Sequence, residues 1–511
     1  MRVESWIHRV DEWVWGWTLL LLLLLVGVVF SIRTGFIQGR LGRALRYMVQ
    51  REQGGVGETS SFGALCTALS ASLGTGNIVG VATAITVGGP GALLWMLVAA
   101  VLGMATQYAE GVLAVRYRQR VDGCYLGGPF YYIEHGLGPG FRWLAVLFSL
   151  FGLLAGLFGV GTVVQANSMT EALSDFFDPL GMAVVFRFGG RTFTWPMVLG
   201  GAVVSILAAV VLGGGARRIT ALSQVLVPVM AGVFFVFSVS ILVTHAARLP
   251  AAVSLMCRCA LAPGAALGGA AGYTLKETMR LGISRGVFSN EAGLGTTPIA
   301  AAAARTHQPV RQGLVSMTGT FIDTVVLCTL TGLTILVTGA WEYADLEGAA
   351  VTAYAWQEGI PWLPPRVTAF LLMVCLVFFA FTSMVGWSYY AERCALYLVP
   401  RRWTPVVFRV AYVMAIAVGP YVSFSAAWEL ADIFNALMAF PNLLALLLLT
   451  PQVGEETARF FGRLETKKGK VQKAVDYFDG MDYNGKRKGK EVRKRWRNRQ
   501  RFCGARGQKS T

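Results

Sequence analysis

Two short runs of small and polar residues interrupt apolar stretches of this chain, and both have the chemistry to bind an ion and a polar ligand. Residues 73–78 read LGTGNI and residues 294–299 read LGTTPI. Glycine costs about 1 kcal/mol relative to alanine inside a helix, and proline lacks the N–H that a helix needs. Both runs therefore predict a break in a helix. Free carbonyl groups at such a break can bind a cation, and the N–H groups that open the next half-helix can bind an anion.

The composition indicates that these breaks lie within a membrane. Of the 511 residues, 55% are apolar and only 14% are charged, and the mean hydropathy is +0.55. Soluble domains carry about 25% charged residues, so a disordered protein is excluded and a soluble enzyme is disfavoured. An unpaired backbone group in a bilayer costs several kcal/mol, so a break at that depth needs partners. Close packing through small residues is the structural alternative for either run alone. Two breaks at matching positions favour binding.

Eleven apolar stretches predict eleven membrane-spanning helices, giving an all-α polytopic membrane protein. The first stretch could instead be a cleaved signal peptide. We expect a retained span, because Glu4, Asp11 and Glu12 are not typical of the basic start of a signal peptide and residues 31–33 do not form a cleavage site. The stretches are 13–32, 65–87, 91–115, 143–165, 195–212, 219–243, 289–304, 313–339, 369–389, 406–418 and 425–449.

Each break falls in the first span of a block of five, spans two to six and spans seven to eleven. Because five is odd, the second block starts from the other side of the membrane, which predicts an inverted repeat. The expected organisation is an extra N-terminal span (1–34), a first five-helix repeat (60–245), an extracellular connecting segment (246–286), a second repeat (287–450) and a basic cytoplasmic tail (451–511). Within the connecting segment, the Gly-rich residues 255–285 could hold a surface helix outside the bilayer.

Charge predicts the orientation. The net charge is +17, and one set of alternate loops holds 17 Lys and Arg residues, against 10 on the opposite side. The tail from Arg459 onward adds 18 on the first side. Positive loops stay in the cytoplasm, so we expect a cell (inner) membrane protein with a cytoplasmic C-terminus and an outside N-terminus. The tail is expected to enforce this topology or to contact anionic lipid, and nucleic acid is not an expected partner.

The sequence shows no catalytic or cofactor-binding pattern. The eight cysteines are scattered without a C-x-x-C pair, four histidines are too few for a His-rich metal site, and no phosphate-binding GxxxxGK[ST] motif is present. We therefore expect neither an enzyme nor an organic cofactor, and no metal beyond a coupling ion.

Several sequence blocks closely resemble the alanine/glycine:cation symporter family of prokaryotes. They are residues 74–82, 88–92, 103–106, 164–168, 286–295, 321–324 and 382–387, and the likeness runs from about residue 35 to residue 451. The resemblance implies a leucine-transporter-like bundle with a five-plus-five inverted repeat, here preceded by one extra span. It also implies sodium-coupled uptake of alanine or glycine.

The resemblance further implies where substrate and ion bind. The substrate carboxylate is expected at the first break, and a Na⁺ ion between that break and span nine. Candidate substrate contacts are Thr75, Gly76, Asn77, Gln165, Phe288, Gly293, Met384 and Trp387, with Gln165 near the outer end of its helix. Candidate sodium ligands are the carbonyls of Ser70 and Leu73 and the hydroxyls of Thr382 and Ser383. The structural alternatives are hydroxyls bonded to their own helix and aromatic side chains that only pack.

Acidic residues within spans are functional candidates by default. Glu291 lies in the second break and is expected to act as a gate or as the partner of Arg285. Asp323 is expected to hold a broken half-helix in place. Glu110 is expected in an interfacial salt bridge, and Asp432 to face a cavity or the outer leaflet.

The function that these patterns favour is symport of a small neutral amino acid with Na⁺, by alternating access. A membrane sensor that does not transport, a proton-coupled symporter and a channel are the alternatives. Alanine against glycine, L against D isomer, coupling ion, stoichiometry and oligomeric state stay open at this point.

Overall fold

A computed structural model describes residues 9–11, 13–50, 52, 55–121, 124–188, 191–262, 274–343 and 345–462. The chain divides into two units, Met1–Val453 and Gly454–Thr511. The first unit is a bundle of helices. The described part of the second unit, residues 454–462, is helical. Most of the tail predicted to contact lipid, residues 463–511, lies outside the described residues.

The elements follow one another along the chain in a simple order. They are α1 (Trp17–Arg33), α2 (Leu41–Val49), α3 (Ser61–Ser72), α4 (Val79–Gly88), α5 (Ala92–Arg116), β1 (Gln119–Val121), β2 (Cys124–Leu126), α6 (Pro129–Tyr132), α7 (Arg142–Phe158), α8 (Val163–Phe177), β3 (Val184–Phe188), β4 (Arg191–Thr194), α9 (Trp195–Gly213), α10 (Gly215–Thr244), α11 (Leu249–Leu261), α12 (Leu275–Asn290), α13 (Thr297–Ala301), α14 (Pro309–Thr320), a π-helical segment (Phe321–Cys328), α15 (Thr329–Thr338), α16 (Ala349–Gly359), α17 (Pro365–Leu398), α18 (Thr404–Val418) and α19 (Phe424–Leu448). Each strand pair, β1–β2 and β3–β4, is an antiparallel hairpin.

Long apolar helices confirm an integral membrane protein. Among the described residues, eight helices are long and apolar enough to cross a bilayer, and two bent pairs raise that number to ten. The predicted count of eleven is not confirmed. The helix at the second break is not among the ten. Its first half, α12, has 16 residues and carries Lys276, Glu277 and Arg280, and its second half, α13, has only 5 residues.

The two interrupted helices run in opposite directions. The first bends by 67° between α3 and α4, and the second is interrupted between α12 and α13. Near the start of α12, the Thr278 hydroxyl donates to the Gly88 carbonyl at the end of α4 (2.7 Å). At the other end, Thr59 before α3 pairs with Ala304 after α13. This antiparallel pairing is the geometry that an inverted repeat requires.

The segment that leads into the second break differs from the expectation. The sequence leaves open a surface helix within residues 255–285, where α11 (Leu249–Leu261) overlaps, and predicts that the second repeat begins at residue 287. The structure instead begins α12 at Leu275, so the boundary falls inside the first half of the broken helix. The charged residues of its first turns lower the hydropathy, although its later residues are buried among other helices.

A third interruption was missed by the sequence analysis. The predicted span 143–165 consists of α7 and the start of α8, separated at residues 159–162. Gln165 therefore lies in the first turn of α8, not near the outer end of a helix. The Tyr412 hydroxyl donates to the buried Gly161 carbonyl (2.7 Å), which replaces a lost helical hydrogen bond. The sequence feature that could have predicted this interruption is the group of three glycines, Gly156, Gly159 and Gly161.

The basic loops meet at one end of the bundle, which we call the basic face. The Arg118 guanidinium donates to the carbonyls of Val56, Ala302, Ala304 and Thr306 at 2.6–3.0 Å. Arg311 lies 3.6 Å from Glu52. Arg409 lies beside Gly215, which starts α10. Loops that are far apart in sequence are thus joined on this face.

Helix α5 packs closely on α14 and so positions the side chains that reach the second break. A β-carbon added to Gly111 of α5 would lie 2.7 Å from Ser316 Oγ and 2.9 Å from Gly313 Cα. Contacts this short force the helices apart.

We expect Gly111→Ala to lower the free energy of unfolding by about 1–3 kcal/mol relative to Gly232→Ala. Gly232 is an exposed helical glycine with no atom within 4 Å of its added β-carbon, so the gain in helix propensity is common to both variants. The measurement is thermal unfolding of the detergent-purified proteins. Equal midpoints for the two variants would contradict the close packing.

Candidate functional site

The first break exposes backbone groups between α3 and α4. Leu73 and Gly74 have extended or irregular backbone angles, and residues 75–77 form one 3₁₀ turn. The Asn77 side-chain oxygen accepts from the Gly74 N–H (3.1 Å), and Thr331 donates to the Asn77 carbonyl (2.9 Å). The polar side chains of this region therefore replace part of the helical hydrogen bonding that the glycines interrupt.

The second break is made by residues in left-handed backbone conformations. Glu291 ends α12 with φ +58°, and Gly293 and Gly295 follow with φ +87° and +82°. A glutamate rarely adopts this conformation, because its β-carbon crowds the backbone. The Thr296 hydroxyl donates to Glu291 Oε2 (2.6 Å) and anchors its carboxylate.

Asp323 joins the two breaks. It lies in the π-helical segment, and its side chain is completely buried. Oδ1 accepts from the Asn77 amide (2.8 Å), at the first break. Oδ2 accepts from the hydroxyls of Ser289, at the second break, and of Thr324 (both 2.8 Å). One carboxylate therefore accepts hydrogen bonds from both interrupted helices.

Gln165 also contacts the first break. Its side-chain oxygen accepts from the Thr75 N–H at 3.3 Å, and both side-chain polar atoms lie within 3.2 Å of a β-carbon built on Gly74. The Thr75 hydroxyl oxygen is buried without a hydrogen-bond partner, whereas the Trp387 indole N–H faces the Glu291 carboxylate. Leaving a buried hydroxyl unpaired costs about 1–3 kcal/mol, so the Thr75 hydroxyl is available to a polar ligand.

Phe288 and Trp387, the two aromatic candidates for substrate contact, lie against different helix interruptions. Phe288 lies against Gly76, whose added β-carbon would be 3.3 Å from Phe288 Cδ1. Trp387 lies against Gly161, at the third interruption. Buried Gly80, one turn beyond Gly76, has no atom within 4 Å of an added β-carbon, which indicates internal open space on this side of α4.

Met384 and Gly293 lie elsewhere. Met384 packs in the apolar cluster that α8, α9, α17 and α18 share, because one residue of helix turns it about 100° away from Ser383. Gly293 faces Leu23 of the extra helix α1 and Leu443 of α19, and its carbonyl accepts from Asn442 (2.9 Å). The structure does not bring these two candidates to the first break.

The candidate sodium ligands lie where α17 crosses the end of α3. The Ser383 hydroxyl donates to the Ala71 carbonyl (2.6 Å), and an added β-carbon at Gly386 would touch Ser70 Oγ and the Ala71 N–H. The final carbonyls of α3, including those near Ser70 and Leu73, form the negative end of its dipole. Thr382 instead bonds the Phe378 carbonyl (2.9 Å) and contacts the Met230 sulphur.

Two further polar residues of α5 support the second break, and the sequence analysis had not assigned them there. Gln107 donates to the Asn290 carbonyl (2.8 Å) and accepts from the Thr320 N–H (3.2 Å). Glu110 is fully buried and accepts from the Gly295 N–H (3.1 Å) and from Asn442 (2.7 Å). The expected interfacial salt bridge of Glu110 is therefore wrong. The sequence feature that could have predicted this burial is the position of Glu110, six residues before the end of α5.

A stack of side chains closes the site on the face opposite the basic face. The rings of Phe288 and Trp428 stack with centroids 5.0 Å apart, and the Arg285 guanidinium lies over both. Arg285 pairs with Asp432 (2.8 Å), so Asp432 and not Glu291 is its carboxylate partner. Trp15, before α1, donates to the Asp432 carbonyl (2.9 Å).

Asp11 lies beside this closure, outside the spanning helices. Burial and the neighbouring Asp432 carboxylate raise the pKa of Asp11 to about 7, although Arg285 and Arg280 oppose this shift. Asp11 therefore keeps its proton to a higher pH than an exposed aspartate does.

The candidate site is closed on both faces. Thr75, Asn77, Gln165, Phe288 and Trp387 are each no more than 4% exposed. The Arg118 contacts seal the basic face, and the Phe288–Trp428 stack seals the other. An open cavity of about 710 Å³ lies between the end of α8, α16 and the start of α17, and none of the candidate site residues lines it. The structure therefore has an occluded arrangement.

Comparison with known proteins agrees with this geometry. Residues 1–474 match the family model described as the sodium:alanine symporter family. An uncharacterized transporter of Haemophilus influenzae is 47% identical over 467 residues, covering 91% of this chain and 98% of that protein. The sodium/alanine symporter AgcS of Methanococcus maripaludis is 40% identical over 474 residues, covering 90% and 98%. The crystal structure of MhsT in complex with L-phenylalanine has a TM-score of 0.54 at 15% identity, covering 78% of this chain and 90% of that chain. This last likeness confirms the leucine-transporter-like fold.

Exchanging Asn77 and Asp323 provides a test of the link between the breaks. Asn77→Asp alone places two carboxylates face to face, and Asp323→Asn alone replaces a charged carboxylate that accepts three hydrogen bonds by an amide with one acceptor oxygen. We expect each single variant to lower the free energy of unfolding by about 1–3 kcal/mol. The double variant restores one donor facing one acceptor and should recover most of the loss, as a double-mutant cycle of thermal unfolding would measure.

Asp175→Asn is the matched control, since Asp175 is an exposed carboxylate on α8 and should change stability by less than about 0.5 kcal/mol. Additive losses in the double variant would show that the two side chains do not interact.

Proposed function

The chain belongs to the sodium:alanine symporter family, and from this premise we propose that it imports a small neutral amino acid, alanine or glycine, together with Na⁺. The family is one of transporters, so the protein is an integral membrane transporter and not an enzyme. The observation that carries the proposal is the pair of buried helix breaks, antiparallel and joined through Asp323, with unpaired polar atoms beside them.

The first break suits an amino acid carboxylate. The N–H groups at residues 74–76 open the half-helix α4 at the positive end of its dipole, where an anion is stabilised. The Thr75 N–H already binds an uncharged acceptor, Gln165 Oε1, and a carboxylate would bind it more strongly. The unpaired Thr75 hydroxyl is a further donor.

Small substrates fit the space beside the break. Phe288 stands over Gly76 on one side and leaves little room for a long side chain. Size selection of this kind works by steric exclusion, and one extra methylene group is worth about 1–3 kcal/mol in such a pocket. Alanine and glycine are the amino acids that need the least space.

The coupling ion is proposed to bind at Ser383. Na⁺ is a hard cation that prefers oxygen ligands, and the Ser383 hydroxyl lies against the carbonyl end of α3. An ion there would connect α17 to the first broken helix and favour the arrangement that also binds substrate. Thr382 is included among the proposed sodium ligands because it is adjacent to Ser383 in the sequence. Its hydroxyl would have to turn away from the Phe378 carbonyl to reach the ion.

In the proposed alternating-access mechanism, the two closures open one at a time. Opening toward one side requires the Phe288–Trp428 stack and the Arg285–Asp432 pair to separate. Opening toward the other side requires the contacts at the basic face to separate. The positive-inside rule places the basic face in the cytoplasm, with the C-terminus on that side and the N-terminus outside.

A proton is the second candidate for the coupling ion. Glu291 and Glu110 are buried carboxylates, Glu110 Oε2 has no hydrogen-bond partner, and a buried carboxylate of this kind is a place where a proton can bind. Both carboxylates lie at the second break, within the moving part of the proposed mechanism.

Uptake into proteoliposomes tests the function. Labelled alanine should accumulate above its equilibrium level when Na⁺ is high outside and low inside, and choline in place of Na⁺ should abolish accumulation. A proton gradient at equal Na⁺ on both sides tests the alternative. If only the proton gradient drives uptake, and Glu291→Gln abolishes it while exposed Glu358→Gln does not, the proton is the coupling ion. Flux that never exceeds equilibrium would contradict symport.

The sodium ligands are tested with a pair of adjacent hydroxyls. We expect Ser383→Ala to raise the Na⁺ concentration for half-maximal uptake about tenfold, which corresponds to about 1.4 kcal/mol. Thr382→Ala should change it less than about threefold, because its hydroxyl bonds its own helix. The measurement is initial uptake against Na⁺ at saturating alanine. An equal effect of both variants would show that the Thr382 hydroxyl turns to the ion, and no effect of either would reject the site.

A further inference from the structure

A second cavity of about 330 Å³ opens on the basic face, away from the helix breaks. It lies between the β1–β2 hairpin, α6, the last turns of α17 and the first turn of α18. Three arginines and three tyrosines contribute to its wall. These residues are Tyr131, Tyr389, Arg393, Tyr397, Arg401 and Arg402.

The charge of this cavity is not neutralised by its own wall. Among the described lining residues there is no carboxylate. Glu392 pairs with Arg409 (2.7 Å), and Glu134 accepts from the Tyr397 hydroxyl (2.6 Å). Glu392 and Glu58 also attract Arg393, so the carboxylates outside the wall offset only part of the charge of its three arginines.

Arg393 supplies an independent sign of a missing ligand. Its guanidinium lies over the Tyr389 ring at 4.9 Å, and its Nε is buried without a hydrogen-bond acceptor. A buried guanidinium N–H without an acceptor is costly, and arginine binds phosphate oxygens in a fixed, forked geometry. An anion with several oxygens would satisfy this donor together with Arg401 and Arg402.

The cavity lies at the level of lipid headgroups. Helix α17 has 34 residues and is about 51 Å long, whereas the hydrocarbon core of a bilayer is about 30 Å thick. Arg393 is on the last two turns of this helix, which extend beyond the hydrocarbon when the helix is centred in the bilayer. Pro405 lines the cavity at the start of α18, and the next turns of α18 expose Val406, Val407 and Val410 by 54–62%.

We propose that this cavity binds the phosphate headgroup of an anionic phospholipid, whose acyl chains lie along the exposed apolar face of α18. Arg393, Arg401 and Arg402 contact the phosphate, and the tyrosine rings pack against the glycerol part. Basic pockets between membrane helices on the cytoplasmic side are suited to such headgroups. Trp403, 57% exposed beside the two arginines, anchors the same interface.

The bound lipid would contact a moving part of the protein. Ile299 of α13 lines the cavity, and α13 is the half-helix that follows the second break. A headgroup that bridges α17 to this region would stabilise the arrangement closed at the basic face.

Native mass spectrometry of the purified full chain, titrated with phosphatidylglycerol, phosphatidylethanolamine and phosphatidylcholine, tests the proposal. We expect phosphatidylglycerol to bind at least about tenfold more tightly than the two zwitterionic lipids. The triple variant Arg393→Gln, Arg401→Gln, Arg402→Gln should lose about tenfold in affinity for phosphatidylglycerol. The matched control, with the same loss of charge, is Arg40→Gln, Arg43→Gln, Arg46→Gln around α2, and it should lose less than about threefold.

Thermal unfolding and size-exclusion profiles establish that both triple variants fold, and Arg401→Gln, Arg402→Gln serves as the milder variant if Arg393→Gln prevents folding. Equal losses in the cavity and control variants, or equal binding of the anionic and zwitterionic lipids, would overturn the proposal. Competition by glycerol phosphate at equal concentration would show that the cavity binds free phosphate compounds. Competition by alanine would show a substrate exit site, and both results would overturn a lipid site.

Discussion

One buried carboxylate makes the rest of the arrangement possible. Interrupting two helices inside a bilayer exposes backbone and side-chain groups that water cannot reach, and Asp323 accepts hydrogen bonds from both interruptions. Because the same carboxylate accepts from the Asn77 amide and the Ser289 hydroxyl, a shift of either broken helix changes the hydrogen bonding of the residue that holds the other. Asp323 is therefore a direct physical connection between the two breaks.

The two closures depend on different kinds of contact. On one face, aromatic stacking and a single Arg285–Asp432 pair cover the site, and the extra N-terminal segment adds the Trp15 hydrogen bond. On the basic face, Arg118 bonds four backbone carbonyls that precede α3 or follow α13. Backbone contacts of this kind hold the ends of both broken helices at the basic face together, so these ends are suited to move as one body.

Much of this could be predicted from residue types alone. Glycine, threonine, asparagine and proline within apolar runs identified both breaks, because these residues disfavour a continuous helix wherever they occur. The third interruption at residues 159–162 was missed, since its glycines are equally compatible with close helix packing. The start of α12 was hard to predict for a related reason: its charged first turns lower its hydropathy, while its burial depends on neighbours far away in sequence.

The sequence by itself determined the membrane class, the two mirrored breaks and the asymmetry of charge, because hydropathy, backbone propensity and loop charge are local properties. Only the tertiary structure decided which polar residues meet. It paired Arg285 with Asp432, brought Gln165 to Thr75, turned Met384 away from Ser383 and buried Glu110 beside the second break. Such pairings depend on helix rotation and crossing, which arise from the packing of the whole bundle.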